Sequence, residues 1–222
     1  MLDIPVIYED KYLLVVNKPQ GIVVEPDHDG HENVVELLEQ QYKSTLRGNN
    51  IIQNAHRLDR PVSGALLLAR KPSVLKQLNE QFASHHIRKA YLAIVGSPPP
   101  ATSGTLVHWL IKDNPSKRAI VSDKPAKGAV EATLKYKVKA ESAGKILLEI
   151  DLITGKYHQI RAQLAHVCCP IIGDEKYGSL DIYKPNAIAL HASHLSFMHP
   201  AEHKPLTVHA PTPIDAWWDL FA

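Results

Sequence analysis

Residues 56–70 read HRLDRPVSGALLLAR. Arg57, Asp59 and Arg60 place three formal charges directly ahead of an apolar run, Ala65 to Ala69. A run that is continuously apolar, rather than alternating, is the pattern of a strand buried on both faces. The charged residues before it therefore form a turn that feeds the core. An aspartate in such a turn is partly desolvated, which favours the neutral acid, whereas nearby guanidiniums favour the carboxylate. Arg57 or Arg60 could hold Asp59 ionised, and Arg161 on a later helix is a further candidate partner. An ionised carboxylate beside a water-poor pocket is a usable nucleophile or base. A structural Asp–Arg pair at a strand entry is the bland alternative, because such pairs also perturb carboxylates.

Outward from this stretch the pattern alternates between strands and a few helices. Residues 6–16 contain strand-like apolar runs, ending at the turn Asn17-Lys18-Pro19-Gln20-Gly21, and Ile22 to Val24 resumes a strand. Asn33 with Glu36 three residues on signals an N-cap for a helix from Val34 to about Tyr42. Ser44 to Asn50 reads as a loop. A second helix starts at Pro72-Ser73, carries Leu75, Leu78 and Phe82 at helical spacing, and ends near His85-His86. Residues 88–95, RKAYLAIV, form a strand whose alternation sets Lys89, Tyr91, Ala93 and Val95 on one face.

Ser97-Pro98-Pro99-Pro100 is the strongest breaker, so any subdomain seam is expected near 97–104 of a single domain spanning 1–222. Gly104–Ile111, Gly128–Ala140 and Ile146–Ile153 read as strands. Thr154-Gly155 then leads into a helix, YHQIRAQLAHVC, with Ile160, Leu164 and Val167 along one stripe and His158, Arg161 and Ala165 along another. A strand over 190–198 and an amphipathic end, DAWWDLF, close the chain, with the Trp pair read as a docking anchor. Hairpin-like succession without a regular βαβ repeat predicts an α+β fold with a mixed, largely antiparallel sheet flanked by helices. The same pattern, and the lack of a Gly-rich phosphate loop, exclude a doubly wound nucleotide fold.

Composition narrows the function classes. The chain has 222 residues, 45% hydrophobic and 22% charged, enough for a sizeable core. The N-terminus lacks the basic and apolar regions of a signal peptide, and no apolar stretch reaches membrane-spanning length. The two cysteines, Cys168 and Cys169, are adjacent, so a disulfide framework is not expected and a reducing cytoplasm fits. Net charge is +2 but uneven: residues 1–40 hold two Lys against nine Asp and Glu, while 56–91 hold seven Lys and Arg against two acids. Residues 105–139 hold eight basic residues against three acids. Two basic segments suit a polyanion-binding surface, although solvated faces give the same count.

Lys18, at the first turn, is a candidate phosphate contact or else an exposed lysine. Tyr91, if its face lines a pocket, offers a ring for stacking and a hydroxyl for proton transfer. The His-rich tail, LHASHLSFMHPAEHKPLTVH, does not read as a metal site: His191 and His194 point to opposite faces of a strand, and no carboxylate cluster sits near. No serine-hydrolase elbow is present.

Five ordered segments resemble the RluA-type family of RNA pseudouridine synthases. They are IYEDKYLLVVNKPQGIVV, His56-Arg57-Leu58-Asp59 through Ser63-Gly64 into the apolar strand, Lys89-Ala90-Tyr91-Leu92-Ala93-Ile94-Val95-Gly96, Thr154-Gly155-Lys156-Tyr157-His158-Gln159-Ile160-Arg161 running on to Pro170-Ile171-Ile172-Gly173-Asp174-Glu175-Lys176-Tyr177-Gly178, and Leu190-His191-Ala192 to His199-Pro200. The resemblance covers essentially residues 4–200. It implies the family's catalytic fold, with Asp59 as catalytic aspartate, Arg161 paired with it, and Tyr91 packed on the target base and serving in proton transfer. Arg57 would hold the nucleic acid open, and Arg60, Lys18, Lys89 and Ile160 complete the expected substrate contacts.

The substrate would be structured RNA, a tRNA or rRNA stem-loop, isomerised in the cytoplasm without cofactor or metal. A monomer with no obligatory protein partner is expected, and no membrane role. The catalytic motif begins by Ile4, so the S4 RNA-binding domain that many family members carry before it is not expected here. Three positions depart from the pattern: Val62 stands where Thr is usual, Lys156 where Arg is commoner, and Cys168-Cys169 where a Gly normally ends the helix. A non-catalytic RNA-binding module and a metal-dependent hydrolase are the alternatives. Retention of Asp59, Tyr91 and Arg161 together speaks against the first.

Overall fold

The computed structural model describes residues 2–44 and 51–222, so most of the loop expected over 44–50 lies outside the described residues. Contacts divide the chain into two units: Met1–Arg88 with Ala192–Thr212, and Lys89–His191 with Pro213–Ala222.

In the first unit, β1 (Val6–Glu9) and β2 (Leu13–Lys18) form an antiparallel pair. Asp10 shapes their turn, its Oδ1 accepting the N–H groups of Tyr12 and Leu13 at 2.7 Å each. Helix α1 (Val34–Gln41) starts at the expected cap, where Asn33 Oδ1 accepts the Glu36 N–H at 2.9 Å. After β3 (Gln53–Asn54) comes β4 (Ser63–Ala69), all seven residues buried, which pairs antiparallel with β2 from Leu13↔Ala69 to Lys18↔Gly64. Helix α2 (Pro72–Ala83) begins on a proline, whose missing N–H costs nothing in a first turn, and buries Val74 and Leu78 against the sheet core of Leu13, Val15 and Leu67.

The second unit holds β5 (Arg88–Val95), β6 (Ser103–Asp113), β7 (Arg118–Ser122), β8 (Val130–Ser142), β9 (Lys145–Leu152) and α3 (Gln159–His166). Its strands run β5-β9-β8-β6-β7, each neighbour antiparallel. The proline run 98–100 joins β5 to β6 inside this unit. Helix α3 is shorter than its apolar stripe suggested. His158 sits in the left-handed region at φ 52°, so the helix opens only at Gln159, and Cys168 at φ 62° stops it.

Strand β10 (Leu190–Met198) falls where expected and pairs antiparallel with β11 (Pro205–His209), which opens on a proline at the edge of its sheet. In the tail, Trp218 is the buried anchor: its Nε1 donates to Tyr183 Oη at 3.1 Å, and that hydroxyl donates to Asp215 at 2.7 Å. The chain is α+β, as its pattern predicts. No helix among the described residues is long and apolar enough to cross a membrane.

Candidate active site

Asp59 is half-buried in the turn between β3 and β4, closed by the Val62 N–H donating to Asp59 O at 3.0 Å. The turn is pinned from beneath. Lys18 is completely buried, and its ammonium donates to the carbonyls of Pro19 at 2.8 Å, Arg60 at 3.2 Å and Val62 at 2.9 Å. Gly21 N–H also donates to Arg60 O, at 2.8 Å. Burial drives the Lys18 pKa down to about 7, Asp59 works against that shift, and Arg60 adds to it. The expected phosphate contact at Lys18 is therefore corrected: all three donors are spent on the backbone and no surface remains.

Both neighbouring arginines hydrogen-bond groups other than the Asp59 carboxylate. Arg57 is largely exposed and bonds Glu25 at 2.8 Å. Arg60 Nε donates to Gly21 O at 2.9 Å and its Nη1 meets His31 Nε2 at 3.2 Å. The turn leads into Gly64, at φ 118°, where a Cβ would come within 2.6 Å of Ala192 N. Only glycine lets β4 approach β10 this closely.

In the second unit Tyr91 is buried on β5, and Lys89 is half-buried, its pKa lowered by burial and then by Lys156. The turn before α3 is tied by Gln159. Its Oε1 accepts from Thr154 Oγ1 at 2.8 Å and from the Lys156 N–H at 3.0 Å, and its Nε2 donates to Thr133 O at 3.1 Å. Ile160 and Arg161 follow, both buried. Arg161 forks onto Asp174, Nε to Oδ2 at 2.7 Å and Nη2 to Oδ1 at 2.9 Å. Its guanidinium carbon lies 5.2 Å from the centroid of Tyr177, and Arg118 lies 5.1 Å from the same ring. Tyr177 Oη accepts the Ala119 N–H at 2.7 Å and lies within hydrogen-bond distance of His158 Nδ1, at 2.9 Å. His158 is neutral, because burial and then Arg161 hold its pKa down to about 3.

A family model described as RNA pseudouridylate synthase matches residues 12–166, which includes Asp59, Tyr91 and Arg161. The chain belongs to that family. It is 34% identical over 214 residues to the ribosomal large subunit pseudouridine synthase C of Buchnera aphidicola subsp. Baizongia pistaciae, covering 93% of this chain and 66% of that protein. It is 32% identical over 224 residues to the tRNA pseudouridine synthase C of Vibrio cholerae, covering 92% of this chain and 89% of that protein. The chain spans about two thirds of the length of the first ribosomal relatives it matches. The human RNA pseudouridylate synthase domain containing 4 has the same fold, with a TM-score of 0.78 at 22% identity over 95% of this chain and 89% of that one.

Two features of the site escaped the sequence. Lys18 as a strut left no signal, since a lysine before Pro19 reads as exposed. Asp174 and Tyr177 lie 13 and 16 positions beyond Arg161 in a segment with no helical or strand period, so nothing local announced them as its partners. Histidine and carboxylate groups gather in two places among the described residues, His108 with Asp123 and His166, and Asp27 with Asp29 and His31. In the first, Gln163 Nε2 lies 3.0 Å from Ala132 O and 3.3 Å from Leu106 O, so nitrogen rather than oxygen must face those carbonyls. The same nitrogen faces His108 Nδ1 at 3.0 Å, so that ring atom presents its lone pair. The neutral His108 then carries its proton on Nε2, toward Asp123 at 3.7 Å, where a metal would need a lone pair. His166 Nε2 meets Asp123 at 2.8 Å, so the carboxylate hydrogen-bonds His166 while His108 stands farther off, at 3.7 Å.

Proposed function

We propose that this chain isomerises uridine to pseudouridine in structured RNA, with Asp59 as nucleophile. The observation that carries the reading is Asp59 itself: a half-buried carboxylate on a turn held rigid by a buried ammonium, in the position that matches the family's catalytic aspartate. A fixed, partly dry carboxylate is a poor choice for merely binding a polyanion and a good one for attacking an extruded ring. The target uridine leaves its stack at a cost of roughly a few kcal/mol, offset by phosphate contacts from the basic segments.

Asp59 attacks at the base or at ribose C1′. The C1′–N1 bond breaks, the uracil turns, a C1′–C5 bond forms, and the bond to Asp59 breaks so that its carboxylate is regenerated. The C5 proton leaves to Tyr91 and N1 takes one up, so atoms balance with no redox change, no net hydrolysis and no cofactor. Arg161 supplies the positive charge that keeps Asp59 ionised, and Arg57, Arg60 and Lys89 contact the RNA. The relatives' names, ribosomal and tRNA pseudouridine synthases, support a tRNA or ribosomal RNA substrate. We assign the chain to the cytoplasm, acting as a monomer without an obligatory protein partner.

RNA carrying tritium at uracil C5 tests this directly. Wild type should release label to water, and Asp59→Asn, with an unchanged melting temperature, should release none. Equal release from the two proteins would remove Asp59 from the chemistry. Arg161→Met should bind RNA within about threefold of wild type and turn over at least about 100-fold more slowly. Lost binding at normal turnover would reverse its role.

A further inference from the structure

We propose that Asp174 is a positioning residue for Arg161, one whose fork sets where the guanidinium points. The inference rests on the activity proposed above, in which Arg161 serves the reaction. Arg161 has five N–H donors in a rigid plane. Asp174 takes two of them, at 2.7 and 2.9 Å, on one edge of that plane. A bidentate contact fixes both the position and the rotation of the guanidinium, which a single hydrogen bond does not.

Asp174 is itself immobile. It is 1% exposed, and its carbonyl accepts the N–H groups of Tyr177 at 2.9 Å and Ser179 at 3.1 Å. Tyr177 closes the cradle from the face. Its ring lies against the guanidinium, and its hydroxyl is locked between the Ala119 N–H and His158 Nδ1. The fork therefore uses one edge of Arg161 and the ring one face, which leaves the orientation of the remaining donors determined. Charge neutralisation alone would not require this geometry, since any carboxylate in reach would serve.

Four variants separate positioning from plain structural support, each compared with wild type for kcat and KM on RNA tritiated at uracil C5 and for melting temperature: Asp174→Asn, Asp174→Glu, Arg161→Met and the double Asp174→Asn/Arg161→Met. Asp174→Glu keeps the buried charge but moves the carboxylate by one methylene. The expectation is a fall in kcat of roughly 100-fold for Asp174→Glu, with KM within about threefold. The double variant should be no slower than Arg161→Met alone, because a residue that acts only through Arg161 has nothing to add once it is gone. If Asp174→Asn does not fold, Asp174→Glu carries the test.

Normal kcat in Asp174→Glu, or additive losses in the double variant, would overturn the proposal while the activity stands. A second measurement keeps the two readings apart. The Arg161 Nε–H, identified by its absence in Arg161→Met, should exchange slowly in wild type by 15N NMR and rapidly in Asp174→Asn. A slow signal in a wild-type chain that modifies no RNA would take down the activity, and this inference with it.

Discussion

The turn carrying Asp59 and the cradle around Arg161 are held by opposite means. The first is a backbone construction. A buried lysine donates to three carbonyls, and two further main-chain bonds, Gly21 to Arg60 and Val62 to Asp59, close it. The second is a side-chain construction: the Asp174 carboxylate forks onto Arg161, Tyr177 Oη meets His158 Nδ1, and the Gln159 amide ties the preceding turn to Thr154 and Thr133. A site held by backbone tolerates changes in neighbouring side chains but not in chain path. A site held by side chains is the reverse. Arg57 and Arg60 flank Asp59 in this turn, and their side chains bond Glu25, Gly21 and His31.

The largest effect should come from breaking chain path next to Asp59. Gly64→Ala places a methyl within 2.6 Å of Ala192 N at φ 118°, and both contact atoms and conformation are backbone, which cannot yield cheaply. The expected loss is more than about 4 kcal/mol in urea unfolding, or failure to accumulate folded protein. A loss below about 1 kcal/mol would show that β4 and β10 can part, and the contrast would lose its first term.

The next effect concerns Lys18 and has a definite sign. Its pKa falls from 10.5 in the unfolded chain to about 7 in the fold. Between those values the unfolded chain holds a proton that the folded chain has released, so stability rises with pH across that window. Relative to Lys18→Met, wild type should gain about 2 kcal/mol between pH 7 and pH 9. A flat difference would mean that the strut keeps its proton throughout and that burial is offset by the carbonyls.

In the cradle the corresponding group is His158, neutral in the fold with a pKa of about 3. Below about pH 6.5 the unfolded chain takes up a proton that the fold refuses, so stability falls as pH drops. His158→Asn accepts the left-handed backbone and removes the titration. Between pH 7 and pH 5 wild type should lose roughly 1 kcal/mol more than this variant, after discounting for partial exposure. Equal losses would place the ring in easy reach of solvent protons.

What was legible follows the same division. The Asp59 turn, β4 and the start of α1 are contiguous in sequence, and local rules suffice: charge before an apolar run, Asn33 before Glu36, a proline opening α2. The class of the fold followed from these and from the hairpin succession of β5 to β9. Short strands such as β7 and β11 were missed because five residues with one or two buried positions give no period to read. The limits of α3 were missed because a left-handed His158 is chosen by what its ring meets, Tyr157 at 3.9 Å and Tyr177, and not by its own preference. Lys18 and Asp174 were invisible for a shared reason. A charged side chain is buried only when distant atoms satisfy it, and those atoms are not its neighbours in sequence.

The smallest effect tests the claim that the cradle tolerates its backbone being improved. Helix α3 ends in a Schellman arrangement, with Cys168 N–H donating to Ala165 O and Cys169 N–H to Leu164 O, both at 3.0 Å. The left-handed position in this motif normally falls to glycine, yet here it is Cys168 at φ 62°. Holding a side chain there costs about 1–2 kcal/mol, while a glycine would lose about 0.5–1 kcal/mol more backbone entropy on folding. Cys168 is exposed, so its side chain gives up little packing when removed. Cys168→Gly should therefore stabilise by about 0.5–1 kcal/mol and leave turnover unchanged, since the cap lies beyond the groups that hold Arg161. Destabilisation with intact activity would show that the exposed thiol packs more than its exposure suggests. A change in kcat at unchanged stability would mean that the helix end steers Arg161, and that the cradle depends on chain path after all.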